Sequence, residues 1–91
     1  MKKVHYDIHV SGKVQGVWFR KYTKIEADKL GLKGFVRNEP DGKVYIEAEG
    51  EEALILDFIG WLHIGAPLSK VKNVAYETAN VLGFESFDIS A

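Results

Sequence analysis

The apolar residues of this chain change their spacing along the sequence, and that change limits the folds open to it. Every second residue from Val4 to Val10 is apolar, which is typical of a strand with one buried face. Over residues 19–30 the apolar residues instead recur at helical spacing, and Gly31 follows as a residue suited to end a helix. A strand therefore leads directly into an amphipathic helix.

The rest of the chain repeats this alternation. The tight turn Pro40-Asp41-Gly42 separates two strand patterns and predicts a hairpin. A second helix begins at the acidic pair Glu51-Glu52 and ends before Gly65. The predicted strands after the first lie at residues 33–39, 43–49, 70–77 and 84–89.

The predicted order is β-α-β-β-α-β with an extra edge strand at the end. Two helices on one face of an antiparallel sheet of four to five strands would bury its apolar side, which is a ferredoxin-like α+β sandwich. We expect one domain over residues 1–91, because the chain is too short for separate binding and catalytic domains. This fold hosts many activities, so function must come from a site.

Composition narrows the class of protein. The net charge of −1 gives no footprint of a nucleic-acid or membrane partner. The absence of cysteine excludes disulfides, thiolate catalysis and thiolate metal sites. With no apolar signal segment before the first strand, we expect a cytoplasmic protein. From its small size and near-neutral charge we expect a monomer.

The segment from Gly12 to Arg20 has the pattern of an anion cradle. Two glycines flank a turn that leads straight into the first helix, whose unpaired N–H groups carry partial positive charge. Arg20 adds a planar fork of donors that suits phosphate or carboxylate oxygens. A cation in the first helical turn opposes the helix dipole, so this choice points to function.

Two motifs resemble the signatures of the acylphosphatase family. The run from Val10 to Arg20 is similar to the first signature, and Gly34-Phe35-Val36-Arg37-Asn38 with Gly42, Val44 and Gly50 is similar to the second. The resemblance implies metal-independent hydrolysis of small acylphosphates without a cofactor, with inorganic phosphate as product and inhibitor. It implies that Arg20 binds the phosphoryl group and Asn38 orients the water. The substrate-binding residues it implies are Gln15, Gly16, Val17, Trp18, Phe19 and Arg20.

The residues suit that chemistry on independent grounds. An acylphosphate releases a carboxylate, a weak base that leaves without a general acid. The loop accordingly contains no Asp, Glu, His or Cys. The amide of Asn38 both donates and accepts hydrogen bonds, as a residue that holds water must.

Three other interpretations remain open. The cradle could bind an anion without turnover. An RNA-recognition module shares the fold, and Lys33-Gly34-Phe35-Val36 echoes its aromatic motif, although on the second strand rather than the third. His5 and His9 share the face of the first strand that we expect to be helix-free and polar, but Asp7 alone beside them makes a weak metal site, and we predict none. Arg37 should point away from Asn38 and lie on the surface.

Overall fold

A computed structural model describes residues 2–90 of the chain. The elements are β1 (Lys3–Lys13), α1 (Phe19–Lys29), β2 (Lys33–Asn38), β3 (Val44–Glu51), α2 (Glu52–Ile64), β4 (Lys70–Ala79) and β5 (Phe87–Ile89). The predicted order of strands and helices is confirmed. The main differences in length are at β1 and β4, which run further than the alternation of apolar residues suggests, and at β5, which is only three residues long.

The strands form one sheet in the order β4-β1-β3-β2-β5. β1 pairs antiparallel with both β3 and β4, and β2 pairs antiparallel with β3. β5 pairs parallel with β2, with Gly34 opposite Phe87 and Val36 opposite Ile89. The prediction of a purely antiparallel sheet is therefore wrong at this edge, because the chain leaves β4 at one edge and crosses the sheet to reach the other.

The core lies between the sheet and the two helices. The alternating residues of β1 are buried on this side, with Ile8 and Val10 fully enclosed. The helices contribute large buried side chains, above all Phe19 from α1 and Phe58 from α2. Within residues 2–90, neither helix is both long and apolar enough to cross a membrane.

The helix-free face of the sheet is only partly open. The segment 80–86 crosses it between β4 and β5, and its backbone N–H groups at Leu82, Gly83 and Phe84 donate to the carboxylate of Glu49. His5 is therefore buried, with 1% of its surface exposed, although its place in the alternating pattern predicted a solvated side chain. His9 on the same face is exposed, as expected.

His5 lies among three carboxylates. Its Nδ1 is 2.7 Å from Glu49 Oε2, and its Nε2 is 2.9 Å from Asp7 Oδ1 and 3.1 Å from Glu47 Oε1. Burial alone would lower the pKa of His5, but hydrogen bonds to Glu49 and Asp7, together with the charges of Asp7 and Glu47, raise it above its ordinary 6.5. An imidazolium that donates from both nitrogens accounts for these contacts.

Candidate active site

The loop between β1 and α1 has an unusual backbone. Gly16 has φ 73°, and Trp18, the residue before the helix, has φ 63°. Left-handed residues in a turn aim successive N–H groups into a concavity that binds anions. In Trp18 this conformation costs about 1–2 kcal/mol because its Cβ crowds the following carbonyl. The side chain of Trp18 remains 67% exposed, so packing does not explain the strain.

The side chains of the loop fix its position. Val14, Val17 and Phe19 are buried and anchor the loop in the core. The Nε2 of Gln15 donates to the carbonyl oxygens of Glu39 at 2.8 Å and Lys43 at 2.9 Å, at the turn between β2 and β3. These bonds tie the loop to the hairpin, a contact that the sequence did not reveal.

A cavity of about 310 Å³ opens between this loop, the start of α1 and the end of β2. Arg20 and Asn38, predicted from separate motifs, both line it. The complete lining is Val14, Gly16, Trp18, Phe19, Arg20, Lys21, Asn38 and Ile89. Of the other residues predicted to bind substrate, Val17 lines a neighbouring cavity and Gln15 lines neither of these two cavities.

Arg20 is held from one side only. Its Nη1 donates to the carbonyl oxygen of Ser90 at 3.3 Å. In residues 2–90 no carboxylate lies within ion-pair distance of Arg20. A guanidinium has five N–H donors, so most of its donors are available to a ligand in the cavity.

Asn38 lines the same cavity and has a buried side-chain oxygen without a donor among the described residues. It is the last residue of β2, opposite Val44 in the register with β3. Its Oδ1 is buried, and no group of residues 2–90 donates to it. A buried acceptor without a donor costs about 1–3 kcal/mol, a cost that proteins keep where the group has a role in binding or catalysis. Thr23 Oγ1 is the other such side-chain oxygen in the described part of the chain, and it does not line the cavity.

The charge of the cavity is positive. Arg20 and Lys21 line it, and no Asp or Glu of residues 2–90 does. Lys21 was not predicted to line the cavity, although its position directly after Arg20 was a usable signal. Ile89 was not predicted either, because it reaches the cavity from β5. Arg37 lies apart from the cavity lining, with its guanidinium carbon 4.8 Å from the centre of the Tyr45 ring and its Nε 3.4 Å from Glu39. A small, cationic cavity of this kind can bind a phosphate-sized anion.

Comparison with known proteins assigns the chain to a family. The family model described as Acylphosphatase matches residues 6–89. A protein named acylphosphatase from Bacillus licheniformis is 47% identical over 96% of this chain and 98% of its own length, and one from Archaeoglobus fulgidus is 45% identical over 92% and 94%. The crystal structure of acylphosphatase from Bacillus subtilis superposes with a TM-score of 0.95 at 39% identity, covering 97% of this chain and 99% of that one. The chain belongs to the acylphosphatase family.

Proposed function

We propose that this protein hydrolyses the carboxyl–phosphate bond of small acylphosphates to a carboxylate and inorganic phosphate. The observation that carries the proposal is that Arg20 and Asn38 line the same cavity, and that the Oδ1 of Asn38 has no donor among residues 2–90. A site that only bound an anion would need the cation and the N–H groups. It would not need a buried acceptor, which repels an anion and attracts the O–H of water.

The phosphoryl group would bind against Arg20 and the backbone N–H groups of the loop from Gln15 to Phe19. The guanidinium suits two phosphate oxygens at once, and Lys21 adds a second positive charge to the cavity. In phosphoryl transfer, stabilisation of charge on the equatorial oxygens supplies most of the catalysis. The strained backbone at Trp18 fits a loop that is organised before the substrate arrives.

The water would bind at Asn38. Its Oδ1 accepts one O–H, which turns a lone pair of the water oxygen towards phosphorus. As the new O–P bond forms, the bond from phosphorus to the acyl oxygen breaks and the carboxylate leaves with the electron pair. The water proton passes to a phosphate oxygen, so no residue of the cavity needs to act as a base or an acid. The chemistry therefore requires no metal ion or cofactor.

Two features of the sheet favour a small-molecule substrate over the RNA-recognition interpretation. Such modules stack bases on the open face of the sheet. Here the segment 80–86 covers part of that face, and the groups beside it are the carboxylates of Asp7, Glu47 and Glu49. We propose that the substrate is a small molecule rather than a nucleic acid, and that the protein acts as a cytoplasmic monomer and a single domain.

The test compares two cavity variants with matched controls. Acetyl phosphate hydrolysis is measured in chelator for Arg20→Lys and Asn38→Ala, with inorganic phosphate as a competitive inhibitor. Asn38→Ala should lower kcat roughly 100- to 1000-fold, the usual effect of removing one preorganised group, with little change in the inhibition constant of phosphate. Arg20→Lys should lose both rate and phosphate affinity, because lysine keeps the charge but not the fork.

The controls change the same residue types away from the cavity. Arg37→Lys and Asn73→Ala should leave kcat, KM and phosphate inhibition within about twofold of wild type, as surface changes usually do. Full activity in Arg20→Lys and Asn38→Ala would refute the site. Strict dependence of the wild type on added metal would refute the mechanism.

A further inference from the structure

Glu49, on the opposite side of the sheet from the cavity, holds the segment that leads to β5. Its carboxylate is completely buried and accepts hydrogen bonds from the backbone N–H groups of Leu82, Gly83 and Phe84. His5 Nδ1 contacts the same carboxylate. Three adjacent N–H groups on one carboxylate make a strong, charge-assisted anchor for the segment.

The segment has few other anchors. Val81 and Leu82 are exposed, and residues 80–86 contain no helix or strand. The ring of Phe84 lies 6.0 Å from that of His5 and 5.9 Å from that of Phe35. Because an exposed loop with few buried apolar contacts opens easily, the bonds to Glu49 decide where the segment lies.

From residues 80–86 the backbone continues through β5 to Ser90, whose carbonyl contacts Arg20. The carbonyl of Ser86 accepts from Gly34 N–H at 2.8 Å, and β5 then pairs with β2. At the end of β5, Ser90 N–H donates to the carbonyl of Val36 at 2.8 Å, while the Ser90 carbonyl accepts from Arg20 Nη1 at 3.3 Å. β5 is three residues long and lies at the edge of the sheet, with Phe87 at its start buried in the core. Because so short an edge strand has few contacts of its own, the segment before it helps to fix its position.

We infer that Glu49 is a positioning residue for phosphate binding: by holding residues 82–84 it fixes β5 and the Ser90 carbonyl, and the carbonyl orients the Arg20 guanidinium. The inference rests on the proposed function of Arg20. Glu49 itself does not touch the cavity, whose lining from β5 is Ile89. A second contact holds β5 from α1, in which Lys24 Nζ donates to the Phe87 carbonyl at 2.6 Å. This contact lies at the start of β5, so the Ser90 end depends on its backbone hydrogen bond to Val36.

The test is Glu49→Gln against the matched control Glu47→Gln. Both variants remove a carboxylate that contacts His5, but only Glu49 bonds the segment 82–84. A glutamine at position 49 has one carbonyl oxygen for the three N–H groups and places its own N–H₂ among them. In Glu49→Gln the dissociation constant of inorganic phosphate should rise roughly tenfold, the factor that one hydrogen bond to a charged group represents. KM should rise with it, and kcat should change less.

Two further measurements separate positioning from general loss of structure. The Arg20 Nε–Hε resonance should shift in Glu49→Gln and stay in place in Glu47→Gln, with both proteins folded by circular dichroism. If Glu49→Gln does not fold, Gly83→Pro replaces it. That change removes one N–H donor and forbids the φ of 83° at an exposed turn, so it releases the segment from the other side.

The outcomes are distinct. Tenfold weaker phosphate binding in Glu49→Gln or Gly83→Pro, with Glu47→Gln unchanged, supports the inference. A folded Glu49→Gln that binds phosphate within twofold of Glu47→Gln overturns it, and so does a Gly83→Pro with wild-type affinity when it is the variant tested. If Arg20→Lys keeps full phosphate affinity, the proposed function fails instead, and a shifted Arg20 resonance in Glu49→Gln would still show that the two residues are linked.

Discussion

Acidification should destabilise this protein chiefly through Glu49, the buried carboxylate that holds residues 82–84. Burial alone would raise the pKa of Glu49, but the hydrogen bonds from His5 and from the N–H groups of Leu82, Phe84 and Gly83 lower it from 4.5 to about 2. A carboxyl with a lowered pKa in the folded state stabilises that state above its unfolded pKa. The stabilisation is lost as pH falls from about 5 towards 2.

The size of the effect follows from the shift. One pKa unit corresponds to about 1.4 kcal/mol, so a fall from 4.5 to about 2 represents about 3–4 kcal/mol for this fully buried side chain. For a domain of this size a urea m-value of about 1 kcal/mol/M turns this into a midpoint shift of about 3–4 M. The sign for His5 is opposite. Because its pKa is raised in the folded state, its contribution is complete below pH 6.5 and is lost as pH rises through the raised value.

The assay is urea unfolding of the wild type and Glu49→Gln at intervals from pH 8 to pH 2.5. Other carboxyls titrate in both proteins, so the quantity of interest is the difference between the two curves. Glu49→Gln should be less stable at pH 7, and its stability should depend less on pH between 5 and 2.5. Parallel curves over that range would refute the reasoning, because the titration of Glu49 would then contribute nothing to stability.

Two other changes test the packing that places the cavity. Gly34→Ala should cost about 3 kcal/mol or more in the free energy of unfolding, because φ is 144° and the new Cβ would overlap the Glu47 carbonyl. Gly16→Ala, with φ 73° and open space around the new Cβ, should cost only about 1–2 kcal/mol. Equal shifts of the thermal midpoint in the two variants would contradict this reasoning. Gln15→Leu should cost about 1–2 kcal/mol in urea unfolding and raise KM, because it removes both bonds from the loop to the hairpin. Unchanged stability and KM would show that the buried valines hold the loop without it.

The fold was predictable because its signals are local. The alternation over residues 4–10 and the helical spacing over 19–30 each reflect which face of one element is buried, and both elements lie where these patterns place them. The parallel pairing of β5 was missed because three residues carry almost no pattern. Its direction depends on the path of the preceding segment, which no periodicity encodes.

The site was predictable only in part, for the same reason. Motifs identified Arg20 and Asn38, which lie on different elements and line one cavity. The partners of Gln15 and the burial of His5 depend on contacts across the fold, with the hairpin and with residues 82–84 respectively. A side chain on the polar face of a strand is predicted to be solvated unless a distant segment is known to cross that face.

Under the proposed function, the residues that would bind phosphate and the residue that would orient water are held by different side-chain contacts. The loop is held by buried Val14 and Phe19 and by the bonds of Gln15, and Arg20 is held by the Ser90 carbonyl. Asn38 is held by backbone pairing, in the register of β2 with β3. Because these supports do not share a side chain, removing the Asn38 amide should leave the anion cradle in place. Loss of the Asn38 amide should then lower the rate of hydrolysis without lowering the affinity for phosphate. In a cavity that only binds phosphate, no such difference between rate and affinity is expected.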